Sequence, residues 1–296
     1  MRRRCAALLA ASQPVILECG DGVRLQGHVA ESPRALRPQL AILLHGWEGS
    51  SDSMYVLSLG QHLFEHGFDV FRLNLRDHGD SHHLNQGIFH SCLLPEVLGA
   101  VLDLARRYPS HRRCIAGFSL GGNFALRIGA ALPAGSEVLS KIVAVSPVLD
   151  PQQTLVALEQ GNPLYRRYFI DKWRRSLIKK QQAWPTAYDF SHLPQLTNLT
   201  DMTEQLVLQH TRYPTLADYL QGYAITGDVL RHLHVPSHIV AAKDDPIIPA
   251  KDLPRLHSTP SLRVTLTDYG GHCGFRESLF RSSWLDRFVC QHLSAD

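Results

Sequence analysis

From residue 40 to residue 145 the chain alternates short, predominantly apolar runs with longer runs of helical periodicity. The apolar runs are 40–44, 69–73, 113–116 and 141–145, and the helical ones between them are 54–66, 94–107 and 122–132. A strand with one wet face alternates polar and apolar side chains, whereas Ala41-Ile-Leu-Leu44 and Ile142-Val-Ala-Val145 leave no polar face at all. Strands of this kind are stable only when helices cover both sides, so the rhythm restricts the chain to βαβ units around a mostly parallel sheet. Two further strand-like runs, 14–19 and 24–29, flank Gly20-Asp21-Gly22 and predict an antiparallel hairpin ahead of the parallel part. Strand runs at 238–242 and 262–266, a helix-like run at 250–257 and a closing helix over 277–292 complete the pattern.

The rhythm breaks between about Leu149 and Val235, where helical patterns occur without a convincing buried strand. Within it Tyr165, Phe169, Trp173 and Leu177 recur at four-residue steps, with Arg166, Arg167, Arg174, Arg175, Lys179 and Lys180 between or after them. We read an inserted helical cap, dividing the chain into a first core part (1–148), a cap (149–235) and a second core part (236–296). A helix merely packed on the sheet is the plainer alternative. A basic amphipathic helix is also compatible with peripheral membrane contact, the less favoured reading.

Gly117-Phe-Ser-Leu-Gly121 is a G-x-S-x-G pentapeptide lying directly between a strand run and a helix run. A serine on such a turn projects its hydroxyl from the end of the sheet, and side chains at positions 117 and 121 would collide across the elbow. Ser119 is therefore a candidate nucleophile. A serine hydroxyl needs a base and a group that orients the base. His272 lies in a glycine-rich loop after the last strand run, and Asp245 lies immediately after the strand run 238–242. Both stand at carboxyl ends of strands, the edge where open parallel sheets assemble their sites. Each alone reads as an ordinary loop residue; together with Ser119 they give the order Ser, Asp, His that distinguishes one of the three known arrangements of this triad. Asp244 is the main rival for the acid and Asp150 a more distant one. For the oxyanion, His45-Gly-Trp-Glu-Gly-Ser50 follows the buried run 40–44, and the backbone amides of Trp47 and Leu120 are the expected donors. Trp47 would then wall an acyl pocket.

These segments, with Asp244-Asp-Pro246 and Tyr269-Gly-Gly-His-Cys-Gly-Phe275, resemble the α/β-hydrolase superfamily, specifically its YheT-like esterase and lipase branch, over nearly the whole chain. The resemblance implies an α/β-hydrolase fold, a mostly parallel central sheet flanked by helices with an inserted helical cap. It also implies Ser119 as nucleophile, Asp245 as acid and His272 as base, with no metal or organic cofactor. Tryptophan at position 47 departs from the leucine expected there. The implied activity is hydrolysis of a small-molecule carboxylic ester with a hydrophobic acyl chain. A peptidase, amidase or thioesterase on the same triad, or a noncatalytic binding protein on the same fold, are the alternatives.

The remaining features are quieter. A formal charge of +3, with basic residues spread along 296 positions, does not suit a nucleic-acid partner. The cluster Arg76-Asp-His-Gly-Asp-Ser-His-His83, with His90, fits no familiar zinc spacing and reads as a pocket-rim loop. Six dispersed cysteines without a C-x-x-C pair suit reduced thiols and a cytoplasmic setting. The basic and apolar start, residues 1–12, reads as a helical or frayed terminus in preference to a short signal segment. Oligomeric state is not encoded in any pattern seen here.

Overall fold

In a computed structural model, which describes residues 2–275 and 283–295, eight strands form a single sheet. They are β1 (Gln13–Glu18), β2 (Arg24–Ala30), β3 (Gln39–Leu44), β4 (Asp69–Leu73), β5 (Arg112–Phe118), β6 (Lys141–Val145), β7 (Ser237–Ala242) and β8 (Leu262–Thr267). Their spatial order is β1-β2-β4-β3-β5-β6-β7-β8. The hairpin β1-β2 is antiparallel with Glu18 opposite Arg24, β2 meets β4 antiparallel, and every later pairing is parallel.

Pleating explains why the central strands are apolar throughout. Successive side chains point to opposite faces, and on β3 Leu40, Ile42 and Leu44 enter one buried layer while Ala41 and Leu43 enter the other. The first layer is closed by α3 (Leu94–Arg107) and α4 (Leu120–Ala131), through residues such as Val97, Val101, Phe124 and Ile128. The second is closed by α1 (Ala6–Ala11) and α2 (Met54–Glu65), through Leu8, Leu59 and Leu63. Leu8 is fully buried and its amide donates to Gln61 Oε1 at 3.0 Å, so the start of the chain is pinned to α2.

Between β6 and β7 the chain runs through α5 (Pro151–Gln160), α6 (Pro163–Ala183), α7 (Leu199–His210) and α8 (Leu216–Gln221), with no β-strand among the described residues of that stretch. The buried face of α6 is Ile170, Trp173, Leu177 and Lys180. The four-residue stripe seen in the sequence drifts out of this face because four residues advance a helix by more than one 3.6-residue turn. Tyr165 is consequently exposed, and Ile170 takes the inner position one turn further on.

Two later segments differ from their sequence reading. Residues 250–255 form a 3-10 helix, Ala250–Arg255, with Pro254 inside it; a proline supplies no N–H to an α-helical ladder. Of the closing helix expected over 277–292, residues 277–282 lie outside the described residues. The described part, α9 (Trp284–Ser294), packs Leu285, Val289 and Leu293 into the layer beneath α2. All six cysteines are free thiols. No helix among the described residues is long and apolar enough to cross a membrane.

Candidate active site

β5 ends at Phe118 and α4 begins at Leu120, leaving Ser119 alone to make the turn, with φ 53° and ψ −116°. A non-glycine residue held there is strained, and the strain is sustained by the backbone around it. The Ser119 amide donates to the Val145 carbonyl on β6 at 2.8 Å, and the Ser119 carbonyl accepts from the Asn123 amide at 3.0 Å. A Cβ on Gly117 would run into the Gly121 carbonyl, and one on Gly121 into the Leu44 and His45 carbonyls. The sequence pattern therefore reflects a close approach of three chain segments at the serine. Asn123, fully buried, ties this elbow to the end of the helical stretch by donating to the Val148 and Tyr223 carbonyls at 2.9 and 2.7 Å.

His272, in the loop after β8, sets Nδ1 at 2.9 and 3.2 Å from the two oxygens of Asp245. The Asp245 side chain is only 2% exposed, and its Oδ1 also accepts the Ile247 and Ile248 amides at 2.9 and 3.0 Å. Burial pushes the His272 imidazole down, while the Asp245 carboxylate bonded to its Nδ1 pushes it up and so favours the charged form the ring takes on when it accepts a proton. Ser119 and His272 line one cavity of about 650 Å³, together with Trp47, Leu120, Phe169, Trp173 and Leu206 among others. Among the described residues no hydrogen bond joins the Ser119 hydroxyl to His272; in unliganded sites such catalytic bonds are often long and close only around substrate.

The neighbouring carboxylates have other work. Asp244 Oδ1 accepts the Gly270 and Gly271 amides, each at 2.8 Å, and so clamps the loop that carries His272. Asp150 caps α5 by accepting the Gln152 and Gln153 amides and pairs with Arg255 at 2.7 Å. The two acids can be separated experimentally. Asp245→Asn is expected to lower kcat by about 10³- to 10⁴-fold, the scale seen when a triad loses the carboxylate that fixes its imidazole. Asp244→Asn keeps an oxygen that accepts both loop amides and is expected to stay within about ten-fold of the wild type. Steady-state kinetics on both variants would expose a reversed assignment.

The backbone amides of Trp47 and Leu120 have no acceptor among the described residues. Leu120 opens a helix and so has no carbonyl four residues back to bond. The loop holding Trp47 is fixed from below by two histidines whose role the sequence did not reveal. His45 Nδ1–H donates to the Gly46 carbonyl at 2.7 Å and its Nε2 accepts the Leu75 amide at 3.1 Å. His78 Nδ1–H donates to the Arg76 carbonyl at 2.7 Å while its Nε2 accepts the amide of Glu48 at 3.1 Å, a residue held at φ 55°. Both rings must be neutral to accept. Burial pushes His45 down to about 4 and, with His45 beside it, His78 well below the usual histidine range. His82, from the same loop, is engaged by Ser176 at 3.0 Å. The signal for this arrangement in sequence was the density of histidine and glycine after β4, which spacing alone could not connect to the loop after β3.

Trp47 itself stacks on Phe169 with ring centroids 5.4 Å apart and meets Trp173 edge-on at 5.1 Å, both from α6. A family model described as alpha/beta hydrolase fold matches residues 41–278.

The chain belongs to the α/β-hydrolase family.

Within that family it is 23% identical over 265 residues to the candidate esterase YheT of Escherichia coli (strain K12), covering 88% of this chain and 77% of that one. It is 26% identical over 222 residues to the human monoacylglycerol lipase ABHD2, covering 67% of this chain and 51% of the lipase. The chain thus spans about half the length of that relative. Among solved structures, the Pyrococcus furiosus esterase Pf2001 superposes with a TM-score of 0.64 at 18% identity, covering 99% of this chain and 92% of the esterase. The hydrolase sheet and its YheT-like branch are therefore common ground between this chain and proteins described as esterases or lipases.

Proposed function

We propose that the protein is a serine hydrolase of carboxylic esters with hydrophobic acyl chains. The observation that carries this reading is the meeting of four features at one cavity: the Ser119 elbow, the His272–Asp245 pair, and the two unpartnered amides of Trp47 and Leu120. In the reaction, His272 Nε2 takes the Ser119 proton as the serine oxygen bonds to the acyl carbon. The carbonyl oxygen becomes an oxyanion that accepts from the Trp47 and Leu120 amides. The tetrahedral species collapses, the ester C–O bond breaks, and the alcohol leaves with the proton from His272. Water then adds to the acyl-enzyme by the same steps, releasing the carboxylic acid and restoring Ser119. Asp245 keeps the imidazole oriented and stabilises its charged form.

The walls argue for the acyl preference. Leu155, Leu158, Phe169, Trp173, Leu199 and Leu206 are contributed by the helices between β6 and β7, and each methylene removed from water contributes about 0.8 kcal/mol. Hydrolysis of p-nitrophenyl esters from acetyl to palmitoyl is the test. kcat/KM is expected to climb by about four-fold per added methylene, the rate equivalent of that burial, until the cavity is filled. A profile that falls from acetyl onward would contradict the hydrophobic acyl site, and no turnover of any ester would contradict the ester hydrolase itself.

A further inference from the structure

Lys172, on α6, is the only lysine or arginine among the described residues lining the cavity that holds Ser119 and His272. We infer that Lys172 is a specificity residue that pairs with an anionic group, a carboxylate or phosphate, carried by the ester substrate. This rests on the ester-hydrolase reading above and extends it to the charge of the substrate.

Of the other basic groups of α6, Arg175 does not line the cavity and the rest have partners. Arg166 bonds the Glu159 carbonyl at 2.9 Å, Arg167 faces Asp171 at 3.7 Å, Lys179 faces Asp80 at 3.3 Å and Lys180 is buried on Asp77. Arg174 donates to the Leu196 carbonyl. Lys172 has no carboxylate within 4.0 Å among the described residues. Its one hydrogen bond is to the Tyr168 hydroxyl at 3.1 Å, and the ammonium also lies 5.3 Å from the centre of that ring. These contacts hold the charge in place without neutralising it. The cavity's carboxylate, Asp52, already pairs with Arg72 at 2.8 Å. Glu48, in the loop beneath, is buried; that burial pushes its carboxyl up to about 7 against the pull of the Lys172 charge, and it makes no ion pair with Lys172 within 4.0 Å. A partly exposed lysine without a carboxylate within 4.0 Å, on the wall of an otherwise largely apolar cavity, offers its charge to a ligand that brings an anion with it.

The test compares two matched pairs of esters, each differing by one anionic group. In the first, p-nitrophenyl hexanoate is set against the mono-p-nitrophenyl ester of adipic acid; in the second, a neutral monoacylglycerol is set against the same acyl chain on glycerol 3-phosphate. Each pair is read as the anionic-to-neutral ratio of kcat/KM in the wild type, Lys172→Arg, Lys172→Met and Lys172→Glu. The wild type is expected to favour the anionic member of at least one pair by about ten-fold, the scale of one charge-assisted hydrogen bond in a partly wet site. Lys172→Arg should keep the preference, Lys172→Met should lose it and Lys172→Glu should invert it. The pair that responds tells whether the anion lies on the acyl or the alcohol side. Turnover of all four esters without an anionic preference, or a ratio unchanged in Lys172→Met and Lys172→Glu, overturns this inference alone. Should the variants fail to fold, the wild-type ratio at rising salt decides: a screened ion pair loses it, and a ratio insensitive to salt overturns the assignment. If no ester is turned over, the hydrolase reading fails and this one with it.

Discussion

Ser119→Ala is expected to lower kcat on the best p-nitrophenyl ester by about 10⁵-fold or more while leaving the fold intact. The scale follows from triads elsewhere, where removing the nucleophile costs as much as removing all three members, because base and acid have nothing left to activate. The fold should tolerate the change because the Ser119 backbone makes the elbow's bonds, to Val145 and Asn123, and alanine keeps both. Alanine has no more side-chain bulk than serine at φ 53°, so the strain of the elbow is about the same in the variant. Circular dichroism and the melting temperature, recorded with the kinetics, separate loss of the hydroxyl from loss of structure. A folded Ser119→Ala protein that retains more than about one per cent of turnover would remove the serine from the reaction.

The largest effect on stability is expected at Lys180. Its side chain is 1% exposed, and Nζ bonds Asp77 Oδ1 at 2.8 Å and the Asn85 and Gly87 carbonyls at 2.6 and 2.9 Å. Asp77 is itself 6% exposed and accepts the Phe89 amide through Oδ2 at 2.8 Å. Burial pushes the lysine down and the aspartate up, and each charge is tolerated because the other is present. Lys180→Met leaves a buried carboxylate and two carbonyls without their donor, at a cost of about 3–5 kcal/mol. For a chain of this size that is a fall in Tm on the order of 10 °C. Adding Asp77→Asn to Lys180→Met should recover part of the loss, since the uncompensated charge is then gone. A Lys180→Met variant that melts with the wild type would show the pair to be dispensable.

Lys180 also marks where sequence reading stopped. By sequence it belongs with Arg174, Arg175 and Lys179 to a basic set compatible with a lipid surface. In the fold it stands seven residues after Trp173 and three after Leu177, on the inner face of α6, and Arg174 turns inward to the Leu196 carbonyl. Charge alone gave no hint of this, because its partners are about a hundred residues away in the chain. The central strands were legible for the opposite reason: β3 and β6 carry their burial in every side chain after the first, so no distant partner has to be known. The Ser119 turn was legible because the glycines it needs fall inside one pentapeptide: Gly117 is demanded by the Gly121 backbone four residues on, and Gly121 by the loop after β3. Asp244 and Asp245 could not be told apart by spacing. Only the path of the loop after β8 decides that one meets the backbone of Gly270 and Gly271 and the other meets the His272 ring. The histidines at 45 and 78 were hidden similarly, since their bonds run between two loops thirty residues apart.

The most direct test of the central claim is covalent labelling of the wild-type protein with a fluorophosphonate, with the modified peptide located by mass spectrometry. The expected result is one adduct on Ser119, slowed strongly in His272→Ala and absent in Ser119→Ala. An unlabelled wild type, or label carried on another residue while Ser119 stays free, would contradict the assignment of Ser119 as an activated nucleophile.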